Sequence, residues 1–186
     1  DWRFYAIALG VLATAFINTG IFFQYKPLID SRGWSLHSYT TSFIAFSIGN
    51  VAGSLLIGAL IDRFRSINIM VFYLIPLFLG LLILQQYNKV GAIYNFMLGA
   101  GLSQGASSVL VSSVWSELYG PQYVGTIRSW VVALQVLATG LAPVLFGWLL
   151  SVGITINAII LLCAVYTLIS IGLLLSVRWL GLRVAV

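Results

Sequence analysis

The residues of this sequence best suited to bind a small solute are neutral polar side chains within long apolar segments. A polar side chain that faces lipid loses its hydrogen bonds, so such groups are expected to face other helices or a water-filled cavity. At 100° per residue, Gln104, Ser108 and Trp115 fall on one face of a helix. The candidate solute-contacting residues are Thr14, Asn18, Tyr25, Asn50, Gln104, Ser108, Trp115 and Gln135. Hydrogen bonding between helices is the alternative role for each of them.

A serine within Gly101-Leu-Ser-Gln-Gly105 matches the Gly-x-Ser-x-Gly pattern of nucleophilic hydrolases. In an apolar segment this pattern would suit an intramembrane serine protease that resembles the rhomboids. Such chemistry needs a histidine within hydrogen-bond reach of Ser103, and the one histidine, His37, lies in or beside the loop before the second apolar run. We therefore expect no enzyme, no cofactor and no metal site. The glycine spacing, repeated in Gly49-Asn-Val-Ala-Gly53, is typical of helices whose backbones pack closely.

The scarce charged residues form two clusters at the ends of apolar runs. Only 7% of the residues are charged, so such clusters are informative. A carboxylate at a helix end can pair with an arginine or cap the exposed amides of another helix, which holds the helix ends in one conformation. We interpret five residues of these clusters as a conformational latch: Gly58, Asp62, Arg63, Glu117 and Arg128. Arg65, in the first cluster, is interpreted as a positively charged anchor that stays in water.

The elements that position these groups are predicted to be membrane-spanning helices. A composition that is 61% hydrophobic and 7% charged cannot build an ordinary water-facing surface. A bilayer core of roughly 30 Å needs about 20 apolar residues in a helix, and no period-two alternation indicates barrel strands. The predicted fold class is an all-α membrane protein with one domain over residues 1–186. Its six spans are residues 4–23, 39–61, 67–84, 90–114, 130–150 and 154–180.

The basic residues predict the orientation of the chain. In the six-span arrangement, one side holds Arg3, Arg63, Arg65, Arg128, Arg178 and Arg183, and the other holds Lys26, Arg32 and Lys89. Because the side richer in Lys and Arg faces the cytoplasm, both termini are expected there, in an inner or plasma membrane. The net charge of +5 then reflects topology, and nucleic acid is not needed as a partner.

Two loops resemble those of a known family. Gly58-Ala-Leu-Ile-Asp-Arg-Phe-Arg65 resembles the signature loop that follows the second span of a half in the major facilitator superfamily. Glu117-Leu-Tyr-Gly120, with Gly125-Thr-Ile-Arg128, resembles the matching cytoplasmic loop of the C-terminal half of those proteins. The N-terminal half usually carries an arginine within its fourth span, and this span has none. The chain therefore resembles the C-terminal half, helices seven to twelve of a twelve-helix transporter.

This resemblance implies transport of a small solute by alternating access, with the first and fourth spans lining the cavity. Because two halves rock against each other in such transporters, the expected partner is an N-terminal six-helix half or a second copy of the chain. The alternative is a non-transporting membrane scaffold, a subunit or an isolated fragment. A passive channel is disfavoured, because no charged ring or selectivity loop is evident. The organic-anion branches of the superfamily often place a cation on the second or fifth span, and neither has one here, so a carboxylate is not the expected solute.

Overall fold

The computed structural model describes residues 2–183 and the side chains of residues 2–179. The described part excludes Asp1, residues 184–186 and the side chain of Arg183. The predicted domain includes all of these residues, and the orientation prediction counts Arg183. The helices in chain order are α1 (Trp2–Phe23), α2 (Tyr25–Arg32), α3 (Leu36–Ile61), α4 (Ser66–Ile69), α5 (Ile75–Gln86), α6 (Gly91–Tyr119), α7 (Val124–Ser151) and α8 (Ile156–Arg183). A 3₁₀ turn, Pro121–Tyr123, joins α6 to α7. The described residues contain no β-strand, so the predicted all-α class is confirmed.

Four helical segments of the described chain are long and apolar enough to cross a membrane. They are Trp2–Phe23, Leu36–Ile61, Pro121–Ser151 and Ile156–Trp179. α6 has 29 residues but carries amide and hydroxyl groups along its length. α5 has 12 residues, fewer than the roughly 20 that a bilayer core requires. The division into six membrane crossings stays a prediction.

The third predicted span is not a single helix. The sequence predicts one helix over residues 67–84, whereas the structure has the short α4, a turn over residues 70–74 and then α5. Pro76 is the second residue of α5. A proline ring has no N–H group and clashes with the preceding helical turn, so a helix tends to restart at this residue. The break leaves the first amides of α5 in need of partners outside their own helix.

α3 and α6 form the most extensive helix pair of the fold. A Cβ atom on Gly105 would overlap the carbonyl oxygen of Asn50, and a Cβ atom on Gly53 would overlap that of Leu102. Only glycine lets the two backbones come this close. The two Gly-x-x-x-Gly motifs therefore face each other, and we call this contact the glycine seam.

α1 lies at the centre of the bundle and contacts α6, α7 and α8. Its side chains Ile7, Val11 and Ile17 have no exposed surface. α7 packs mainly on α1, where the Phe146 ring lies edge-on to the Phe16 ring with centroids 5.4 Å apart. By contrast, α3 and α7 leave much of their apolar surface exposed. These two outer helices flank the polar groups that could meet a solute.

Candidate functional site

A polar cavity of about 180 Å³ lies between α6 and α7. The residues that line it are Gln104, Ser107, Ser108, Val111 and Ser112 of α6, and Arg128, Val131, Val132 and Gln135 of α7. The structure thus brings together Gln104, Ser108 and Gln135, three of the predicted solute-contacting residues. Six of the nine lining residues are polar or charged, and convergent polar groups of this kind orient a bound small molecule.

Asn18 extends this polar cluster into α1. Its Nδ2 donates a hydrogen bond to Oε1 of Gln104 at 3.3 Å. Asn18 is 4% exposed, and its Oδ1 has no hydrogen-bond partner in the part of the chain that the structure describes. A buried acceptor without a partner costs roughly 1–3 kcal/mol. A donor from a water molecule or a solute would therefore be bound favourably here.

Arg128 lies on α7 itself, because α7 begins at Val124 and so earlier than the predicted span start at residue 130. Its side chain lines the cavity and makes no ion pair or hydrogen bond with another described residue. The predicted fifth span, residues 130–150, itself contains no cation, but Arg128 precedes it on the same helix and brings a positive charge to the cavity. The argument against a carboxylate solute considers the spans alone and does not extend to this residue.

The remaining predicted solute contacts are placed differently. Thr14 is buried and donates to a backbone carbonyl of its own helix at 3.1 Å. Trp115 is fully buried in an aromatic cluster. Tyr25 is exposed beside the ring of Tyr39, and Asn50 is half-buried on α3 at the glycine seam. None of these four candidates lines the cavity between α6 and α7, and their part in solute binding stays a prediction.

Ser103 has a structural partner. The serine is fully buried, and its Oγ accepts a hydrogen bond from the backbone N–H of Leu77 at 3.0 Å. Leu77 lies in the first turn of α5, where amides have no partner within their own helix. His37 is exposed in the first turn of α3 and forms no hydrogen bond with Ser103. The geometry therefore assigns this serine to helix capping and gives no support to a protease.

Glu117 pairs with Arg65, for which the sequence predicts a positively charged anchor in water. The Arg65 Nε donates to Oε1 of Glu117 at 2.8 Å, and Oε2 accepts the backbone N–H of Ile67 at 3.3 Å. The carboxylate therefore holds the loop between α3 and α4 against the end of α6. Asp62 and Arg63 are exposed and form no ion pair with other described residues. Arg65 stays 61% exposed while it pairs with Glu117, so its role as a positively charged anchor stays a prediction, and the ion pair is an additional contact.

An open groove lies beside this ion pair. The loop residues 61–66 form one side, and Ser112, Ser113 and Ser116 of α6 form the other together with Glu117. A Cβ atom on Gly58 would meet no atom within 4 Å, so no close approach within the described chain requires glycine there. The predicted latch residues thus divide between this groove, which holds Asp62, Arg63 and Glu117, and the polar cavity, which holds Arg128.

A second polar cluster surrounds Arg32 at the opposite end of the bundle. The sequence did not predict it. Arg32 donates to the Tyr87 carbonyl at 2.9 Å, to Oδ1 of Asn88 at 2.8 Å and to Oδ1 of Asn157 at 2.7 Å. Its guanidinium carbon lies 5.7 Å from the ring centroid of Trp34, and partial burial lowers the pKa of Arg32. The cluster joins α2, the loop between α5 and α6, and the start of α8. Its members are far apart in sequence, so no local pattern indicates it.

Long apolar helices packed around a cluster of polar groups define this protein as an all-α membrane protein with a polar cavity between its helices. The chain belongs to the Major Facilitator Superfamily, whose sequence profile matches residues 6–185. The predicted membership of this superfamily is thereby confirmed, and membrane transport of a small molecule is the function of the class.

The chain is also similar to a gentisate transporter of Corynebacterium glutamicum, with 25% identity over 176 residues. This match covers 95% of the chain and 39% of that relative. The chain therefore spans less than half the length of the curated relative that it matches.

Proposed function

We propose that the chain is the C-terminal six-helix half of a secondary transporter that moves a small organic anion by alternating access. The observation that carries the anion assignment is Arg128, whose unpaired charge lines a cavity together with the amides of Gln104 and Gln135. A guanidinium binds a carboxylate through two parallel N–H···O hydrogen bonds. Amides and hydroxyls can bond the other polar groups of such a solute. The relative named as a gentisate transporter handles an organic anion as well.

The exposed apolar faces of α3 and α7 support pairing with a second six-helix unit. α3 exposes Ile44, Ile48, Val51 and Leu55, and α7 exposes Val136, Leu137, Leu141 and Val144. The cavity of about 180 Å³ is smaller than the roughly 300–1,000 Å³ of complete ligand pockets. This unit therefore supplies part of the site, and an N-terminal half or a second copy of the chain supplies the rest. Binding at the midplane between two such units is the arrangement that alternating access requires.

The ion pair of Arg65 with Glu117 and the neighbouring groove form the proposed conformational latch. The Arg65 side chain is 61% exposed and that of Glu117 is 23% exposed, so the pair contributes at most about 1 kcal/mol. A bond this weak can break and reform as the two units rock. Asp62 and Arg63, which have no ion-pair partner among the described residues, are available to the second unit. The excess of basic residues at this end of the bundle supports a cytoplasmic position for the latch.

Uptake into liposomes tests the anion assignment. The complete transporter, isolated from its own membrane, is reconstituted and supplied with radiolabelled gentisate or with the uncharged amide of the same compound. We expect saturable uptake of the carboxylate. In Arg128→Gln we expect KM to rise by about tenfold or more, because a hydrogen bond to a charged group contributes about 1.5–3 kcal/mol. Arg128→Lys keeps the charge but cannot form two parallel hydrogen bonds with a carboxylate, so its affinity for the solute should lie between those of Arg128→Gln and the parent.

Lys26→Gln is the matched control, since it removes one exposed charge at the other end of the bundle. Its KM is expected to equal that of the parent protein. Equal uptake of carboxylate and amide, unchanged in Arg128→Gln, would contradict the anion assignment. Absence of saturable uptake for every solute would favour a membrane scaffold or subunit instead.

A further inference from the structure

A mainly apolar pocket of about 500 Å³ lies between the end of α3, the turn that separates α4 from α5, and α8. Leu56, Phe64 and Phe72 form its outer walls, and Gly53 and Leu102 of the glycine seam form part of its base. Its volume falls within the roughly 300–1,000 Å³ of sites for small molecules. It shares no lining residue with the cavity between α6 and α7, so the two are separate sites.

Two buried polar atoms of this pocket have no hydrogen-bond partner in the described part of the chain. They are the Tyr73 hydroxyl and Oδ1 of Asn68. Tyr73 is only 3% exposed, so its hydroxyl does not lie at an open surface where bulk water could bond to it. Each such atom destabilises the fold by roughly 1–3 kcal/mol when it stays unpaired. The hydroxyl can donate and the amide oxygen can accept a hydrogen bond, so each would be stabilised by a ligand atom that reaches it.

Arg178 of α8 adds a positive charge to the same pocket. It forms no ion pair with any described residue, and neither Asp30, Asp62 nor Glu117 lines the pocket. A guanidinium next to apolar walls is expected to attract an anion that also carries an apolar portion. The pocket therefore combines the three features that an anionic amphiphile needs: apolar walls, hydrogen-bonding groups and a cation.

We propose that this pocket binds an anionic phospholipid. The acyl chain lies against Leu56, Phe64 and Phe72, and the phosphate lies at Arg178. Phe64 is 59% exposed and Phe72 is 55% exposed, so the pocket opens on a surface that meets lipid in a membrane. Basic pockets between helices on the cytoplasmic side are typical sites for anionic head groups. An apolar helix of a partner protein would cover the same walls but would leave the Arg178 charge buried without an anion.

Native mass spectrometry of the transporter, solubilised from its own membrane in mild detergent, tests this proposal. The protein is titrated with phosphatidylglycerol and, separately, with phosphatidylcholine that carries the same acyl chains. Both lipids carry a phosphate, but the choline ammonium of phosphatidylcholine offsets its charge and is repelled by Arg178. We therefore expect one phosphatidylglycerol to bind about tenfold more tightly than phosphatidylcholine. Arg178→Gln should weaken the binding of phosphatidylglycerol by about tenfold. Tyr73→Phe removes only a hydroxyl and should weaken it by about fivefold.

Arg63→Gln is the matched control, because it removes an exposed arginine near this pocket that does not line it. Its affinity for phosphatidylglycerol should equal that of the parent protein. Equal weakening by Arg63→Gln and Arg178→Gln would overturn the proposal, since binding would then follow surface charge alone. Equal affinity for the two lipids would overturn it as well. A dimer or complex that binds no added lipid would show that a protein surface occupies the pocket instead.

Discussion

The glycine seam between α3 and α6 allows a prediction to be worked from atomic distances. In Gly105→Ala the new Cβ atom lies 2.8 Å from the carbonyl carbon of Asn50 and closer still to its oxygen. Nonbonded carbon atoms rest about 3.5–4.0 Å apart, so α3 and α6 must separate by at least roughly 0.7 Å. The contact is with backbone rather than with a flexible side chain, so no rotamer change can relieve it.

The energetic cost follows from this separation. A gap of about 0.5–1 Å forfeits a quarter to a half of the dispersion energy between the separated atoms. Gly49, Gly53 and Gly101 face the same seam, so the loss spreads along both helices. We therefore place the cost near the upper end of the overpacking range, at about 3 kcal/mol. The better helix propensity of alanine offsets about 1 kcal/mol, which leaves a net loss of about 2 kcal/mol.

Cys163 supplies the assay, because it is the one cysteine of the sequence and only 4% exposed. A thiol-reactive fluorophore labels it on heating only when the bundle opens. We expect the labelling midpoint of Gly105→Ala to fall by on the order of 4–8 °C. Gly140→Ala is the matched control, since a Cβ atom there meets nothing within 4 Å, and its midpoint should be unchanged or higher. Equal midpoints for the two variants would refute the reasoning.

Three further substitutions test other contacts. Ser103→Ala leaves the Leu77 amide without its partner, so we expect a stability loss of about 1–3 kcal/mol in the same labelling assay with solute uptake retained; loss of a proteolytic activity would reverse the capping assignment. Glu117→Gln breaks the pair with Arg65, and we expect less than about 1 kcal/mol of destabilisation but altered reactivity of cysteines introduced into the groove; unaltered reactivity would count against the latch. Arg32→Lys replaces a planar guanidinium, which donates several hydrogen bonds, with a single ammonium group. We expect the free energy of unfolding to fall by on the order of 1 kcal/mol, measured as a lower labelling midpoint. A midpoint equal to that of the parent would show that the guanidinium geometry is dispensable.

Much of the fold could be predicted because a bilayer restricts what an apolar sequence can do. A core of roughly 30 Å demands about 20 apolar residues in a helix, and the predicted spans 4–23 and 39–61 fall within α1 and α3. The polar face of α6 was visible for a similar reason. A rotation of 100° per residue brings Gln104 and Ser108 to one side, and both line the cavity.

The features that the sequence concealed depend on how the chain turns between helices. The apolar run of the fifth predicted span begins only near Trp130, but α7 begins earlier, at Val124. Helical hydrogen bonds join backbone N–H and C=O groups, so a helix can extend beyond the apolar side chains. The charge of Arg128 on the cavity wall was missed for that reason. Arg65 is 52 residues from Glu117, and nothing local selects it over Arg63 as the partner. Only the path of the loop after α3 decides which guanidinium reaches the carboxylate.

The cavity between α6 and α7 lies between two helices that are held by different neighbours. α6 is fixed to α3 by backbone contact at the glycine seam, whereas α7 packs on α1 through the rings of Phe16 and Phe146. α6 and α7 contact each other much less than either contacts its own neighbour. Closely packed pairs move as rigid units, so displacement of one pair against the other can widen the cavity without opening the seam. The hydrogen bond from Asn18 to Gln104 crosses this boundary at 3.3 Å, where a solute group could replace either amide.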